Sequence, residues 1–309
     1  SNNDKNTLNV EIPLKTKSIA PYETDIPVRV GALESLFKMS KDGKVKPLLV
    51  KSYHQKSDDT LELTLKDNVK FQNGHQLTGE AVKKSLEEAM KKSDLLKGSL
   101  PIKSISANNQ KVTITTNEPY PELKSELANP FAAIYDIKAN SKVTDKPVGT
   151  GPYQIDKYQR SQKIELSKFK DYWQGTPQLN KINVTYHEDG NTRVDNLLSS
   201  KSDLTTDVPI DRINDVKQSK KADIQSTSGF RTHLLLYNHE SNKMNKNVRE
   251  ALDMIINRKE IAQNVSKNYA KPAAGPFNHR LKSLEKEQVQ PQNIDKAKKL
   301  LAKECYTQS

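Results

Sequence analysis

The chain has 309 residues, 34% hydrophobic and 28% charged, enough for one large domain or two compact ones. Fifty Lys and Arg against 38 Asp and Glu give a net charge of +12, yet only eight cations are arginines and the lysines are scattered among acids. That reads as a solvated surface, not the clustered stripe of a nucleic-acid binder. No run approaches the ~20 apolar residues that span a bilayer. Ser1 to Lys5 are polar, so no signal peptide is expected to remain, which fits either a mature exported form or a cytosolic protein. The single cysteine, Cys305, excludes an internal disulfide and a cysteine-based zinc site.

In chain order, Leu8 to Leu14 reads as a strand, followed by a turn around Ala20-Pro21-Tyr22. Val28, Leu33, Leu36 and Phe37 have close to helical spacing and predict a helix over 28–37. Asp42-Gly43 signals a turn. Leu61, Leu63 and Leu65 alternate with Glu62 and Thr64, a half-buried strand. After the turn Phe71 to Gly74, Thr78 caps a helix over 79–92 with Ala81, Val82, Leu86 and Ala89 inward. Val112 to Thr116 is a strand, and Glu118 to Leu127 includes a short helix. Val148 to Tyr153 is a turn-rich entry into paired strands, Tyr153 to Tyr158 and Lys163 to Phe169. Ile182 to His187 is a further strand. Thr192 to Ser199 and Pro209 to Gln218 read as helices, and the apolar run Leu234 to Asn238 as a buried strand. Val248 to Ser266 and Ile294 to Lys303 are the last helices. Such a mixture implies an α/β chain with more than one sheet.

Catalytic chemistry is missing from this pattern. Gly149-Thr150-Gly151-Pro152 lacks the third glycine and following helix of a phosphate loop. The six histidines, His54, His75, His187, His233, His239 and His279, form no HExxH or HxH pair, so a protein-only metal cage is not expected. There is no GxSxG, and pairs such as Glu87-Glu88 and Asp58-Asp59 read as surface acids, without the burial that tunes a catalytic carboxyl. The chain is not expected to be an enzyme.

Six ordered segments carry a resemblance: PLLVKSY (47–53), LKDNVKFQNG with LTGEAVKKS (65–85), VGTGPY (148–153), DYWQGTP with LNKI (171–182), VREALDMIINRKEI (248–261) and AKKLLAKECY (297–306). Together they resemble family 5 extracytoplasmic solute-binding proteins of ABC importers, the peptide- and nickel-binding components. The resemblance implies a two-lobed, periplasmic-binding-protein-like α/β fold (type II, cluster C) with an inserted subdomain in lobe I. Residues 1–45 and 146–230 would form the lobe I core, 46–145 the inserted subdomain, and 231–309 the start of an incomplete lobe II. Family chains continue beyond the AKKLL helix, and Cys305 stands where they usually carry glycine. Gly149 and Gly151 are expected to supply unusual backbone angles, and Tyr172 and Trp173 to pack between strands.

The same resemblance implies a solute captured in a cleft. Arginine suits ligand carboxylates because its planar fork binds them bidentately. Arg29 follows the loop after the first strand, and Arg231 lies at the lobe crossover beside Thr232 and His233. Tyr22, Thr24 and Tyr135 are candidate cleft residues, and Asn129 stands where the nickel-binding branch places a cleft arginine. Nickel carried as a small-molecule chelate, for example nickel–histidine, is the first reading. No intrinsic cofactor is needed, and His233 would add one direct metal bond. A short peptide is the second reading, and a basic, noncatalytic polyanion-binding protein the alternative from another class. The expected setting is an extracytoplasmic lipoprotein, monomeric, delivering solute to a membrane permease and binding no nucleic acid.

Overall fold

The computed structural model describes residues 6–13, 15–40, 42–227 and 233–238, with residues 223, 225–227 and 233–238 described by backbone alone. The chain runs β1 (Thr7–Ile12), α1 (Ile26–Arg29), β2 (Phe37–Met39), β3 (Val45–Pro47), β4 (Val50–Ser57), β5 (Thr60–Leu65), α2 (Gly79–Lys92) and α3 (Asp94–Ser99). It continues through β6 (Ile102–Asn108), β7 (Lys111–Thr116), α4 (Leu123–Leu127), β8 (Tyr153–Gln159), β9 (Lys163–Lys168), β10 (Lys181–Tyr186) and α5 (Gly190–Leu198). The last described elements are β11 (Leu204–Thr206), α6 (Ile213–Ser219), β12 (Ala222–Thr227) and β13 (His233–Asn238).

Seven strands form one mixed sheet in the order β12-β13-β11-β1-β10-β9-β8. β1 lies at its centre and runs parallel to both β10 and β11, while the outer pairings are antiparallel. A second, antiparallel sheet has the order β4-β5-β7-β6, and β2 and β3 form a small ribbon. Leu8, Val10 and Ile12 on β1 and Ile182, Val184 and Tyr186 on β10 are buried in the main core. Leu61, Leu63 and Leu65 on β5 join that core with the apolar face of α2. A smaller cluster gathers Val194, Leu197, Val208, Ile213, Val216 and Ile224 around α5 and α6.

Helix α2 follows the sequence logic closely. Thr78 is extended and its hydroxyl accepts from the Ala81 N–H at 3.2 Å, satisfying one of the orphan donors of the first turn. Glu80 in the first turn and Lys91 and Lys92 in the last complement the helix dipole. Val82, Leu86 and Ala89 are buried, with the two larger side chains worth roughly 1.5–3 kcal/mol each. Gly79 seats the helix on the β6–β7 turn, because a Cβ there would lie 2.7 Å from the carbonyl oxygens of both Asn109 and Lys111.

The expected helix over 28–37 is corrected to the single turn α1. Gly31 takes φ +84°, in the left-handed region, and breaks the helix. Leu33, Leu36 and Phe37 are still fully buried, so the apolar spacing reported core contact without reporting helix. The helix expected over 209–218 is a 3-10 turn, Ile210–Arg212, leading into α6. β4 escaped the sequence reading because only Val50 of its eight residues is buried, leaving no alternation to detect. The predicted helices over 248–266 and 294–303, and Cys305, lie outside the described residues.

Candidate ligand-binding site

In an open α/β sheet, ligands gather beyond the carboxyl ends of parallel strands, where neighbouring connections leave in different directions. Here those ends are Ile12 of β1, Tyr186 of β10 and Thr206 of β11. Arg193 on α5 stitches two of them together. Arg193 is 3% exposed, and its guanidinium donates to the carbonyls of His187 (2.6 Å), Glu188 (2.9 Å) and Asp207 (2.9 Å). Burial pulls its pKa down, opposed by the nearby acids Asp207, Glu11 and Asp189. Asp207 itself has φ +55°, a left-handed conformation held at the rim.

The segment after β1 carries two of the sequence candidates, Thr24 and Arg29. The Thr24 hydroxyl accepts from the Ile26 N–H at 3.3 Å and starts the turn of α1. Arg29, in the last turn of α1, is 8% exposed and sits 3.8 Å from Asp25. It lines a hollow whose walls come from β1 (Val10, Ile12), α1 and its C-cap (Ile26, Val30) and β10 (Ile182, Val184), with Thr206 beside it. Tyr186 continues the same face of β10. Its hydroxyl is enclosed, and burial together with the neighbouring Tyr158 pushes its pKa up, against smaller opposing effects of Thr16 and then Arg29.

Tyr22 and Tyr135 meet directly, with ring centroids 6.2 Å apart and planes tilted by 56°. Tyr135 is anchored from α2: its hydroxyl donates to Glu88 at 2.7 Å and its backbone N–H to the Ser85 hydroxyl at 3.0 Å. Burial raises the Tyr22 pKa, helped by the charges of Glu23 and Glu88. Glu88, read from sequence as a surface acid, is therefore a half-buried acceptor. Asn129 is 1% exposed, and its side-chain oxygen accepts from the Phe131 N–H at 2.9 Å, capping a 3-10 turn. Arg231 and Thr232 lie outside the described residues; His233 opens β13, with its backbone opposite Thr227.

A buried carboxylate missed by sequence reading organises the frame behind these groups. Glu34 is 0% exposed, and its oxygens accept from the Thr150 hydroxyl, the Tyr172 hydroxyl and the Trp173 ring N–H, each at 2.9 Å. Tyr172 and Trp173 thus act through their polar tips as well as their packing. Gly149 and Gly151 are corrected also: neither has positive φ, and their role is close approach. A Cβ on Gly151 would lie 2.1 Å from the Gly31 carbonyl oxygen, and one on Gly149 2.5 Å from that of Ala32. Gln72 staples the same junction, its amide donating to the carbonyls of Ala32, Gly151 and Tyr153 at 2.8–3.1 Å. The signal available for Glu34 was one acid inside the apolar run ALESLF.

Among the described residues, no three His, Cys, Asp or Glu side chains cluster closely enough to hold a metal ion.

Comparison with known proteins places this architecture. The family model for "Bacterial extracellular solute-binding proteins, family 5 Middle" matches residues 44–309. The nickel-binding protein NikA of Staphylococcus aureus is 60% identical over 97% of the chain, which covers 61% of that protein. The glutathione-binding protein GsiB of Salmonella typhi is 29% identical over 94% of the chain, which covers 59% of it. Among solved structures, S. aureus NikA in complex with Ni(L-His)2 superposes with a TM-score of 0.72 at 59% identity, over 96% of this chain and 64% of that one. A nickel ABC transporter structure from Bacillus halodurans gives 0.71 at 32% identity, over 88% of this chain and 58% of that one. The chain spans about three-fifths of the length of the curated relatives it matches. Its mixed α/β architecture is that of type II periplasmic binding proteins, and the chain belongs to the family 5 bacterial extracellular solute-binding proteins.

Proposed function

We propose that the protein captures nickel as a small-molecule chelate, such as nickel–histidine, outside the cytoplasm and delivers it to an ABC importer permease. The observation that carries this reading is 60% identity, over nearly the whole chain, to a nickel-binding protein whose close structural match holds Ni(L-His)2. A chelate arrives with its metal shell largely filled by nitrogen and oxygen donors, so the protein needs to recognise the chelator more than the metal. Its role is capture and not turnover. The ligand-facing set on this reading is Tyr22, Thr24, Arg29, Asn129 and Tyr135, with Arg231, Thr232 and His233 completing it.

The first lobe on this reading comprises the seven-stranded sheet, with residues 46–145 inserted into it. The position of β4–β7, wholly within that interval, supports the division. Because β13 pairs between β11 and β12, the chain would leave the first lobe after Asn238, slightly later than residue 231. The protein would act as a monomer held at the cell surface by a lipid anchor; no helix among the described residues is long and apolar enough to cross a membrane.

A peptide reading is favoured by one observation, the 29% identity to glutathione-binding proteins. Calorimetry on the full-length protein separates the two, using nickel alone, nickel with free L-histidine, and glutathione or other short peptides. Heat with nickel plus histidine supports the proposal. Heat with peptides only refutes it.

A further inference from the structure

We propose that Asn73 is a modification site: the chain deamidates at the Asn73–Gly74 step, and Asp136 holds that reaction back while the fold is intact. Asn73–Gly74 is the only Asn-Gly step in the sequence. Gly74 has no side chain to shield its own amide nitrogen, and a Cβ placed there would meet nothing within 4 Å. Its φ of +91° is one that glycine adopts freely. In the reaction, the Gly74 nitrogen gives its proton to solvent base and bonds to the Asn73 side-chain carbon. The bond from that carbon to its amide nitrogen breaks, and ammonia leaves with a proton taken from water. One water molecule then opens the succinimide, giving aspartate, or isoaspartate with the backbone routed through the side chain. One water is consumed and one ammonia released, so no oxidant or cofactor is needed.

The restraint lies in how the turn is fastened. Asn73 is exposed, so water reaches it. Both ends of its carboxamide are nevertheless held: the oxygen accepts from the His75 N–H at 3.1 Å, and the amide donates to Asp136 Oδ2 at 2.7 Å. The attacking nitrogen is engaged as well, since the Gly74 N–H donates to the Phe71 carbonyl at 2.9 Å. Asp136 is itself fixed. Its side chain is 4% exposed, accepts from the Lys138 N–H at 3.0 Å, and lies 2.6 Å from a His75 ring nitrogen. Its negative charge also opposes the anionic nitrogen and the oxyanion that form during ring closure.

Once made, the change locks itself in. The new carboxylate would stand where the amide donor was, 2.7 Å from a carboxylate almost removed from water. A hydrogen bond is replaced by repulsion between like charges, and the clamp cannot re-form. The same turn carries Gln72, whose amide bonds the carbonyls of Ala32, Gly151 and Tyr153. Asp136 directly follows Tyr135, which packs on Tyr22. The lesion therefore falls between the glycine junction and the candidate ligand site, whichever solute that site takes.

The test follows Asn73 by peptide mass spectrometry in mildly alkaline, heavy-oxygen water, below the unfolding transition, where ammonia loss with uptake of one labelled oxygen marks each event. Full-length protein is compared with its Asp136→Ala and Asp136→Asn variants and with a synthetic peptide of residues 68–80. Asn73 is expected to convert before any other asparagine of the protein, yet at least about tenfold more slowly than in the peptide, the factor of a charge-assisted hydrogen bond. Asp136→Ala should remove most of that protection. Asp136→Asn keeps an uncharged acceptor and should fall between; it decides alone if Asp136→Ala does not fold. Asn73→Asp, which reproduces the aspartate product, should unfold about 2–4 °C lower. The inference is overturned if Asn73 does not convert, if another asparagine converts first, or if protein and peptide react equally fast. Equal rates with and without the Asp136 carboxylate overturn it too, as does an Asn73→Asp protein of unchanged stability.

Discussion

Trp173 donates its ring N–H to Glu34 across 2.9 Å, joining the YW segment after β9 to the turn that follows α1. Glu34 also takes hydrogen bonds from Tyr172 and Thr150, so one buried carboxylate links three segments far apart in sequence. Lys66 sits above the Trp173 ring at 4.4 Å and donates to the Leu48 carbonyl at 2.7 Å, bringing in the end of β5. Burial and the neighbouring Lys38 lower the Lys66 pKa, and Glu34 opposes them.

Glu34→Ala would strand the Thr150 hydroxyl and the Trp173 ring N–H, while the Tyr172 hydroxyl keeps Gln174 at 3.1 Å. Leaving buried groups unpaired costs about 1–3 kcal/mol each, not fully additively, so a total loss of about 2–4 kcal/mol is expected. Trp173 is the sole tryptophan of the chain. Its fluorescence in urea titrations therefore reports this junction directly. A loss below about 1 kcal/mol would deny Glu34 its organising role.

Two glycines should respond in opposite directions to alanine. Gly151→Ala forces a Cβ to 2.1 Å from the Gly31 carbonyl oxygen, with further backbone contacts at 2.8 Å. Neither neighbour is a flexible side chain, so the junction must open, costing about 3 kcal/mol or more. Gly98 lies within α3 and has nothing within 4 Å of its added Cβ. Gly98→Ala should stabilise by about 0.5–1 kcal/mol through helix propensity. Thermal unfolding of both variants checks the contrast.

Asp136 predicts a pH effect. Burial would raise its pKa, but hydrogen bonds from the Asn73 amide (2.7 Å), the His75 ring (2.6 Å) and the Lys138 N–H (3.0 Å) outweigh this and hold it below the usual range. A carboxyl depressed in the folded state stabilises fully above its unfolded pKa, near 4, and loses that contribution as pH falls through the lower folded value. Unfolding measured from pH 6 to pH 2 should show the unsubstituted protein losing stability below about pH 4 more steeply than Asp136→Asn. Parallel curves would contradict the assignment.

What could be read in sequence follows from which residues leave a local signature. β5, α2, β7, β9 and β10 were legible because buried and exposed positions alternate with the period of the element itself. α1 was overcalled because Leu33, Leu36 and Phe37 are buried by tertiary contact beyond the Gly31 break. β4 was invisible because it is solvated on both faces. Arg29, named from sequence as a candidate cleft residue, is placed beside the hollow, and Tyr22 and Tyr135, named likewise, against each other, which locates them without assigning ligand contact. Glu34, Gln72, Glu88 and Arg193 were not so named, since each acts through partners far away in the chain. Asn129 and Thr24 proved to spend their side-chain oxygens on local backbone, a use no spacing rule distinguishes from ligand contact.

The central claim, capture of a nickel chelate, is tested most directly by what the full-length protein carries through gentle purification. Native mass spectrometry with metal analysis on the same sample should find nickel together with histidine or a similar small chelator, in a fixed ratio to protein. A bound peptide or glutathione without nickel, or nickel retained with no accompanying small molecule, would contradict the account.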